Sequence, residues 1–128
     1  MEAVSGIVNY KGKVLLGKKK KDSPKVLAGY WHFPGEAIEN EESDEEALKR
    51  GFLEETGLEI RVGRFLASGI TPTSKGEIRW YECFAYTYNV TPKSDLEELK
   101  WVDKNKVLKE HQETVKFWPK EIIDYFSG

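Results

Sequence analysis

The residues with most to offer chemically lie between Glu36 and Leu58, EAIENEESDEEALKRGFLEETGL, which carries nine of the 22 acidic residues in the chain. The stretch closes on two adjacent glutamates, Glu54 and Glu55, shortly before Gly57. Side-by-side carboxylates repel unless a positive charge lies between them. Hard cations such as Mg²⁺ take oxygen ligands and bridge carboxylates to substrate phosphates. The stretch therefore reads as a divalent-metal site for phosphate chemistry, or as a solvated, salt-bridged helix face.

A helix must position these groups. Ser43 is a good N-cap, and Glu46 three residues on completes a capping box. Asp44, Glu45 and Glu46 fill the first turn, where the helix dipole favours negative charge. Ala47, Leu48, Phe52 and Leu53 recur at helical spacing and predict a core-facing side. Gly57 is placed to end the helix in the left-handed conformation. Glu45–Lys49, Glu46–Arg50 and Arg50–Glu54 are i,i+4 pairs. Gly51 sits inside this helix, where glycine costs about 1 kcal/mol relative to alanine, so helix stability does not explain it.

The stretch resembles the Nudix box, the signature of the Nudix hydrolases. Glu42 matches the first glutamate, Ser43 to Lys49 the seven spacers and Arg50 the arginine. Phe52 matches the apolar position, Glu54 and Glu55 the paired glutamates, Gly57 the glycine and Leu58 the final apolar residue. Upstream, Trp31-His32-Phe33-Pro34-Gly35 is similar to the lead-in common in the family. Two positions depart from the pattern. The opening glycine is Glu36, and the glutamate after the arginine is Gly51. In the family that second position usually carries a metal ligand, and Gly51 supplies none. Either something packs closely against Gly51, or part of the chemistry has been lost or moved. Glu36 is the candidate for relocation; the alternative is a loop glutamate pointing to water. If the site is merely impaired, Gly51→Glu raises activity.

The rest of the chain fits one domain over residues 1–128. A net charge of −2 gives no basic bias toward nucleic acid. The single cysteine, Cys83, excludes an internal disulfide and a cysteine metal cluster, and it reads as a buried thiol. No signal peptide or membrane span is visible, so the expected location is cytoplasmic. Ala3–Asn9 and the strand from Val14 predict a hairpin through Tyr10–Lys13. Lys18–Lys21 is a basic run, read as a solvated strand end or a phosphate-facing patch. Asp22–Gly29 predicts a loop containing Pro24, Tyr30–Phe33 a short strand and Pro34-Gly35 a turn. Glu59–Ile70 predicts a strand with a bulge at Gly63, and Thr71–Gly76 a loop. Glu77–Asn89 predicts an aromatic strand, with Trp80 and Glu82 on one face and Tyr81 and Cys83 on the other. Leu96–Val102 predicts a last strand and Lys104–Lys109 a helical segment. Thr114–Phe126 predicts a terminal helix broken near Pro119. His32 and His111 are too isolated to argue for a transition-metal site.

These elements predict an α+β fold, and the resemblance implies its form: a Nudix-like α/β/α sandwich with a mixed β-sheet between helices. It also implies hydrolysis of a phosphoanhydride bond in a nucleoside diphosphate derivative. A nucleoside triphosphate is the expected substrate, including oxidised ones of the 8-oxo-dGTP type. The implied cofactor is Mg²⁺, with Mn²⁺ as its substitute. Glu54, Glu55, Arg50 and Glu36 are the expected catalytic residues, and Glu54, Glu55, Glu42 and the backbone of Gly35 the expected metal site. Glu82 and Asp95 are alternative bases outside the box. Trp80, Tyr81, Lys18 and Phe33 are the expected substrate contacts, the aromatic rings stacking on a base or serving as sheet core. The partner is a small nucleotide, and a homodimer is compatible with the resemblance. The competing reading is a Nudix-fold nucleotide- or protein-binding domain of weak or no activity, because Gly51 replaces the usual glutamate.

Overall fold

A computed structural model describes residues 2–22, 29–70, 76–110 and 115–127. The expected loop around Pro24, the loop at 71–75, Thr114 and His111 lie outside the described residues.

The hairpin forms as expected. Strand β1 (Ala3–Tyr10) runs into β2 (Lys13–Lys19) through Lys11 and Gly12, both at positive φ. Two further short strands follow, β3 (Trp31–His32) and β4 (Gly35–Ala37), then helix α1 (Asp44–Thr56). Strands β5 (Ile60–Ile70), β6 (Glu77–Ala85) and β7 (Leu96–Asp103) complete the sheet. The chain ends in α2 (Val107–Glu110) and α3 (Lys120–Ser127), each led in by a short 3-10 turn. Helix α3 starts directly after Pro119, as the sequence indicates.

The sheet is mixed. Its order is β3-β2-β1-β6-β5, with β4 on β1 and β7 on β2; among the described residues only β1 and β6 run parallel. The hairpin strands stay paired only near the turn, at Asn9↔Val14 and Tyr10↔Lys13. Beyond that they part. The edge of β1 that β2 leaves is taken by β4, and the edge of β2 that β1 leaves is taken by β3. Residues 31–37 therefore fill a fork in the sheet. Pro34 joins the two short strands, and its carbonyl accepts from Gly6 N at 3.2 Å.

The sequence predicts a strand that ends at Phe33 and a turn at Pro34-Gly35. The structure instead places Gly35–Ala37 in the sheet, in register with Ser5, Val4 and Ala3. Strand β4 can lie this close because residue 35 is glycine: a Cβ there would come within 2.7 Å of the Val4 carbonyl oxygen.

Alternation along the strands feeds two cores. On one face Phe52, Leu48 and Ala47 of α1 pack on Val4, Val8, Leu15 and Cys83. On the other, Trp118, Ile122 and Phe126 pack on Ile7, Leu16, Phe33 and Trp80. The result is the three-layer arrangement expected. Leu53, expected on the packed side of α1, is half exposed. Cys83 is fully buried, and burial pushes its thiol pKa up to about 12. The bulge expected at Gly63 falls where the β5–β6 register shifts, between Val62 and Phe65.

Candidate active site

The acidic helix is built as the sequence dictates. The Ser43 side chain accepts from Glu46 N, and the Glu46 carboxylate accepts from Ser43 N, closing the capping box. Gly57 ends the helix with φ 75°. Thr56 locks the last turn: its hydroxyl donates to the Phe52 carbonyl at 2.6 Å and accepts from Leu58 N at 3.1 Å. Backbone bonds from Lys93 N to Glu55 O and from Thr91 N to Thr56 O clamp the loop before β7 onto the same end.

Arg50 organises the acidic face. Its Nε and Nη2 donate to the two carboxylate oxygens of Glu42 at 2.7 and 2.9 Å, a bidentate pair. Nη2 also donates to the Ala37 carbonyl at 3.0 Å, which ties the helix to β4. Nη1 faces two further carboxylates, Glu54 at 3.3 Å and Glu36 at 3.9 Å. The Arg50 guanidinium holds the Glu42 carboxyl below its ordinary pKa, and Glu42 in turn raises that of Arg50. The expected Glu46–Arg50 pair does not form, because Glu46 is committed to the cap; the Glu45–Lys49 pair does, at 2.9 Å. Glu42 accepts from Arg50 and from Glu39 N, so it braces Arg50 and the loop before the helix.

Glu55 is only 6% exposed, whereas the Glu54 side chain is 57% exposed. Glu55 lines a shallow concavity with Gly35, Glu36, Leu48, Gly51 and Phe52. The two carboxylates there come from different elements, Glu55 from α1 and Glu36 from β4. Gly51 lies between them. A Cβ built at Gly51 would stand 2.8 Å from Glu36 Cβ, 3.0 Å from Cγ and 3.1 Å from Oε2. The glycine in the helix is thus explained by packing: the Glu36 side chain occupies the space a side chain at position 51 would need. A simple Gly51→Glu gain, expected if the site were merely impaired, runs against this contact.

The donor set is oxygen only, the class hard divalent cations take. Among the described residues no three His, Cys, Asp or Glu side chains already stand together as a metal cluster. Mg²⁺ sites commonly use one or two carboxylates and complete their shell with water and substrate phosphate. Glu36 and Glu55, which line one concavity, fit that pattern.

The remaining sequence candidates fall elsewhere. Phe33 is 4% exposed; its ring stacks on Phe126 at 5.4 Å and packs on Trp118. Trp80 is 6% exposed, edge-on to Phe33 and Trp118. Both are core residues with no ring face left for a base, which corrects their assignment as substrate contacts. The tail helix, which covers them, is the reason. Tyr81 lies on the α1 side, its ring edge-on to Phe65 and its hydroxyl donating to Asp44 at 2.5 Å. Arg79 locks the same Asp44 with two bonds of 2.6 and 2.7 Å and also reaches Glu2 and Glu77. Lys18 pairs with Glu98 at 3.7 Å and lies beside Trp31, which carries Lys100 over its ring at 4.0 Å.

Glu82 shares a sheet face with Trp80, opposite α1. It accepts from Tyr125 of α3 at 2.5 Å and pairs with Arg64, so it is removed from the acidic concavity as an alternative base. The backbone carbonyl of Asp95, the other alternative, accepts from Lys20 N near the start of β7. His32 is buried, and burial lowers its pKa to about 4. Its Nδ1 faces the Tyr30 carbonyl at 3.0 Å, an acceptor, so Nδ1 carries the proton. The residues that sequence reasoning missed are Ala37 and Asp44. Ala37 contributes only a backbone carbonyl, and nothing in sequence marks it. Asp44 read as a first-turn dipole residue, although its neighbour in space is a strand arginine.

The NUDIX domain family matches residues 2–126. The chain belongs to the Nudix family. Nudix hydrolases generally use divalent metals. The chain is 40% identical over 68 residues to a CTP pyrophosphohydrolase of Escherichia coli K12, a match spanning 53% of this chain and 49% of that protein. Among solved structures it is similar to the MutT protein from Methanosarcina mazei Go1, with a TM-score of 0.77, 23% identity, and coverage of 99% of this chain and 90% of that one. A UDP-X diphosphatase matches with a TM-score of 0.72 at 19% identity, covering 99% of this chain and 61% of that one. At these identities the structural matches speak to the Nudix fold. No helix among the described residues is long and apolar enough to cross a membrane.

Proposed function

We propose that this Nudix chain is a Mg²⁺-dependent pyrophosphohydrolase that cleaves a phosphoanhydride bond in a nucleoside triphosphate. The observation that carries the reading is that Glu36 faces Arg50 together with Glu54 and lines one concavity at Gly51 together with Glu55, in a chain matched to its family from residue 2 to 126. The E. coli relative's name, a CTP pyrophosphohydrolase, supports a triphosphate; oxidised purine triphosphates belong in the same class of substrate.

In the reaction, water adds to phosphorus as the bridging P–O bond breaks. The bridging oxygen leaves with the electron pair, and the water proton passes to a base. A divalent cation, when bound, neutralises the phosphates and lowers the pKa of water. The chain's own contribution is to hold the acidic face. Glu54 and Glu55 would supply oxygen donors to the cation, and Gly35 lets β4, which carries Glu36, lie against β1. Glu42 acts through Arg50, whose bidentate grip fixes the guanidinium that spans Glu36 and Glu54. Lys18 and Lys100, beside Trp31, offer positive charge and a half-buried ring where β2 and β3 meet. Tyr81 acts through Asp44 at the start of the helix rather than by stacking.

The binding-domain reading rests on the missing carboxylate at Gly51. Glu36 filling that space weakens it. The test is phosphate or pyrophosphate release with Mg²⁺ from CTP, other canonical and oxidised nucleoside triphosphates, ADP-ribose, dinucleoside polyphosphates and nucleotide sugars. Turnover of a triphosphate, falling by at least ~10²-fold in Glu55→Gln, supports the hydrolase. A thermal shift with nucleotide and no product from any of them overturns it in favour of binding.

A further inference from the structure

The two positions at which the chain departs from the Nudix box, 36 and 51, are in contact. They are 15 residues apart and lie on different elements, β4 and α1. Their side chains exclude one another: Glu36 Cβ and Cγ stand where a Cβ at 51 would meet them at 2.8 and 3.0 Å. Glu36 Oε2, 3.1 Å from that Cβ position, therefore brings a carboxylate to the helix face at position 51. That face is one turn before Glu55, and i,i+4 positions on a helix are neighbours. The other oxygen, Oε1, shares Arg50 Nη1 with Glu54. The Glu36 side chain is 17% exposed, so it does not point freely into water.

From this geometry we infer that Glu36 is a ligand of the divalent cation, delivered from β4 across Gly51 into the concavity that it lines with Glu55. The inference deepens the hydrolase reading, because the cation is the one that reading invokes. It assigns Gly51 a role as well: the absence of a side chain is what lets the strand carboxylate in. Register enforces the placement. Glu36 pairs with Val4 in the β1–β4 ladder, and Arg50 holds the next residue, Ala37, by its carbonyl.

The test is Mn²⁺ binding without nucleotide, followed by the electron paramagnetic resonance signal of free Mn²⁺. It is run on the wild type, on Glu36→Gln, and on the reciprocal variant Glu36→Gly with Gly51→Glu. Glu36→Gln keeps the packing and removes the charge. We expect an unchanged Tm without metal and Mn²⁺ affinity weaker by at least ~10-fold, the lower end of the losses seen around metal sites. The reciprocal variant returns a carboxylate from the helix and is expected to recover most of that loss. Wild-type affinity in a folded Glu36→Gln overturns the inference, as does a folded reciprocal variant that binds no better than Glu36→Gln. Failure of the hydrolase reading is separate. A wild type that binds Mn²⁺ through Glu36 yet turns over no nucleotide refutes that reading and leaves the ligand assignment standing.

Discussion

Replacing Gly51 by alanine separates two physical effects that oppose each other. In a helix interior alanine is favoured over glycine by about 1 kcal/mol. At this position the added methyl would lie 2.8 Å from Glu36 Cβ. That atom is next to the backbone of a paired strand, so it cannot swing away as a side-chain end can. Overpacking of this kind costs ~1–3 kcal/mol. Gly51→Ala in the wild type is therefore expected to destabilise by roughly 0–2 kcal/mol, the difference between the two effects. In a Glu36→Gly background the obstruction is gone, and the same substitution should stabilise by about 1 kcal/mol. The sign change is the signature. Urea unfolding of the four proteins gives the coupling energy, expected at ~1–3 kcal/mol, in the range for residues in contact. Equal effects of Gly51→Ala in both backgrounds, with coupling below ~0.5 kcal/mol, would refute the claim that Glu36 occupies the space over Gly51.

His32 gives a pH test. Its folded pKa of about 4 lies below the ordinary 6.5. The stability tied to its neutral form is complete above pH 6.5 and falls as pH drops toward 4, by on the order of 3 kcal/mol across that window. His32→Gln should flatten the fall in urea-unfolding stability between pH 6.5 and 4, and an unchanged slope would contradict the burial argument. Asp44 acts in a lower window. Arg79 holds its carboxyl below the ordinary 3.8, so its contribution is complete above that value and is lost as pH falls through the depressed one. The Tm gap between wild type and Asp44→Asn should thus be constant near neutrality and close only in acid. Trp80→Phe removes core volume, so it should lower Tm while leaving the ratio of KM values between nucleotides unchanged. A change in base preference would put Trp80 back at the substrate.

The helix was legible because its signals are local. A capping box, an acidic first turn and a glycine in the left-handed cap all lie within 15 residues of one another and agree. The hairpin and the two faces of β6 were legible for the same reason, as period-2 alternation is a local property. Strand β4 was not. Its three residues follow a Pro-Gly pair, which reads as a turn, and it forms only because the hairpin strands part and leave an edge to fill. Since Glu36 is carried on that strand, its contact with Gly51 was open to conjecture but could not be derived. The aromatic residues failed differently. Phe33 and Trp80 have the chemistry to stack on a base or to fill a core, and sequence alone does not choose. The choice is made by Trp118 and Phe126, which the tail brings back onto the sheet.

The most direct measurement of the account is kcat/KM for nucleoside triphosphate hydrolysis with Mg²⁺ across four proteins: wild type, Glu36→Gly, Gly51→Glu and the double variant. The account predicts an active wild type and large losses, on the order of 10²-fold, in each single variant, one for want of a carboxylate and one from crowding. It predicts recovery in the double variant, where the carboxylate reaches the same place from the helix. A Glu36→Gly protein as active as the wild type, or a Gly51→Glu protein more active than it, would contradict the account.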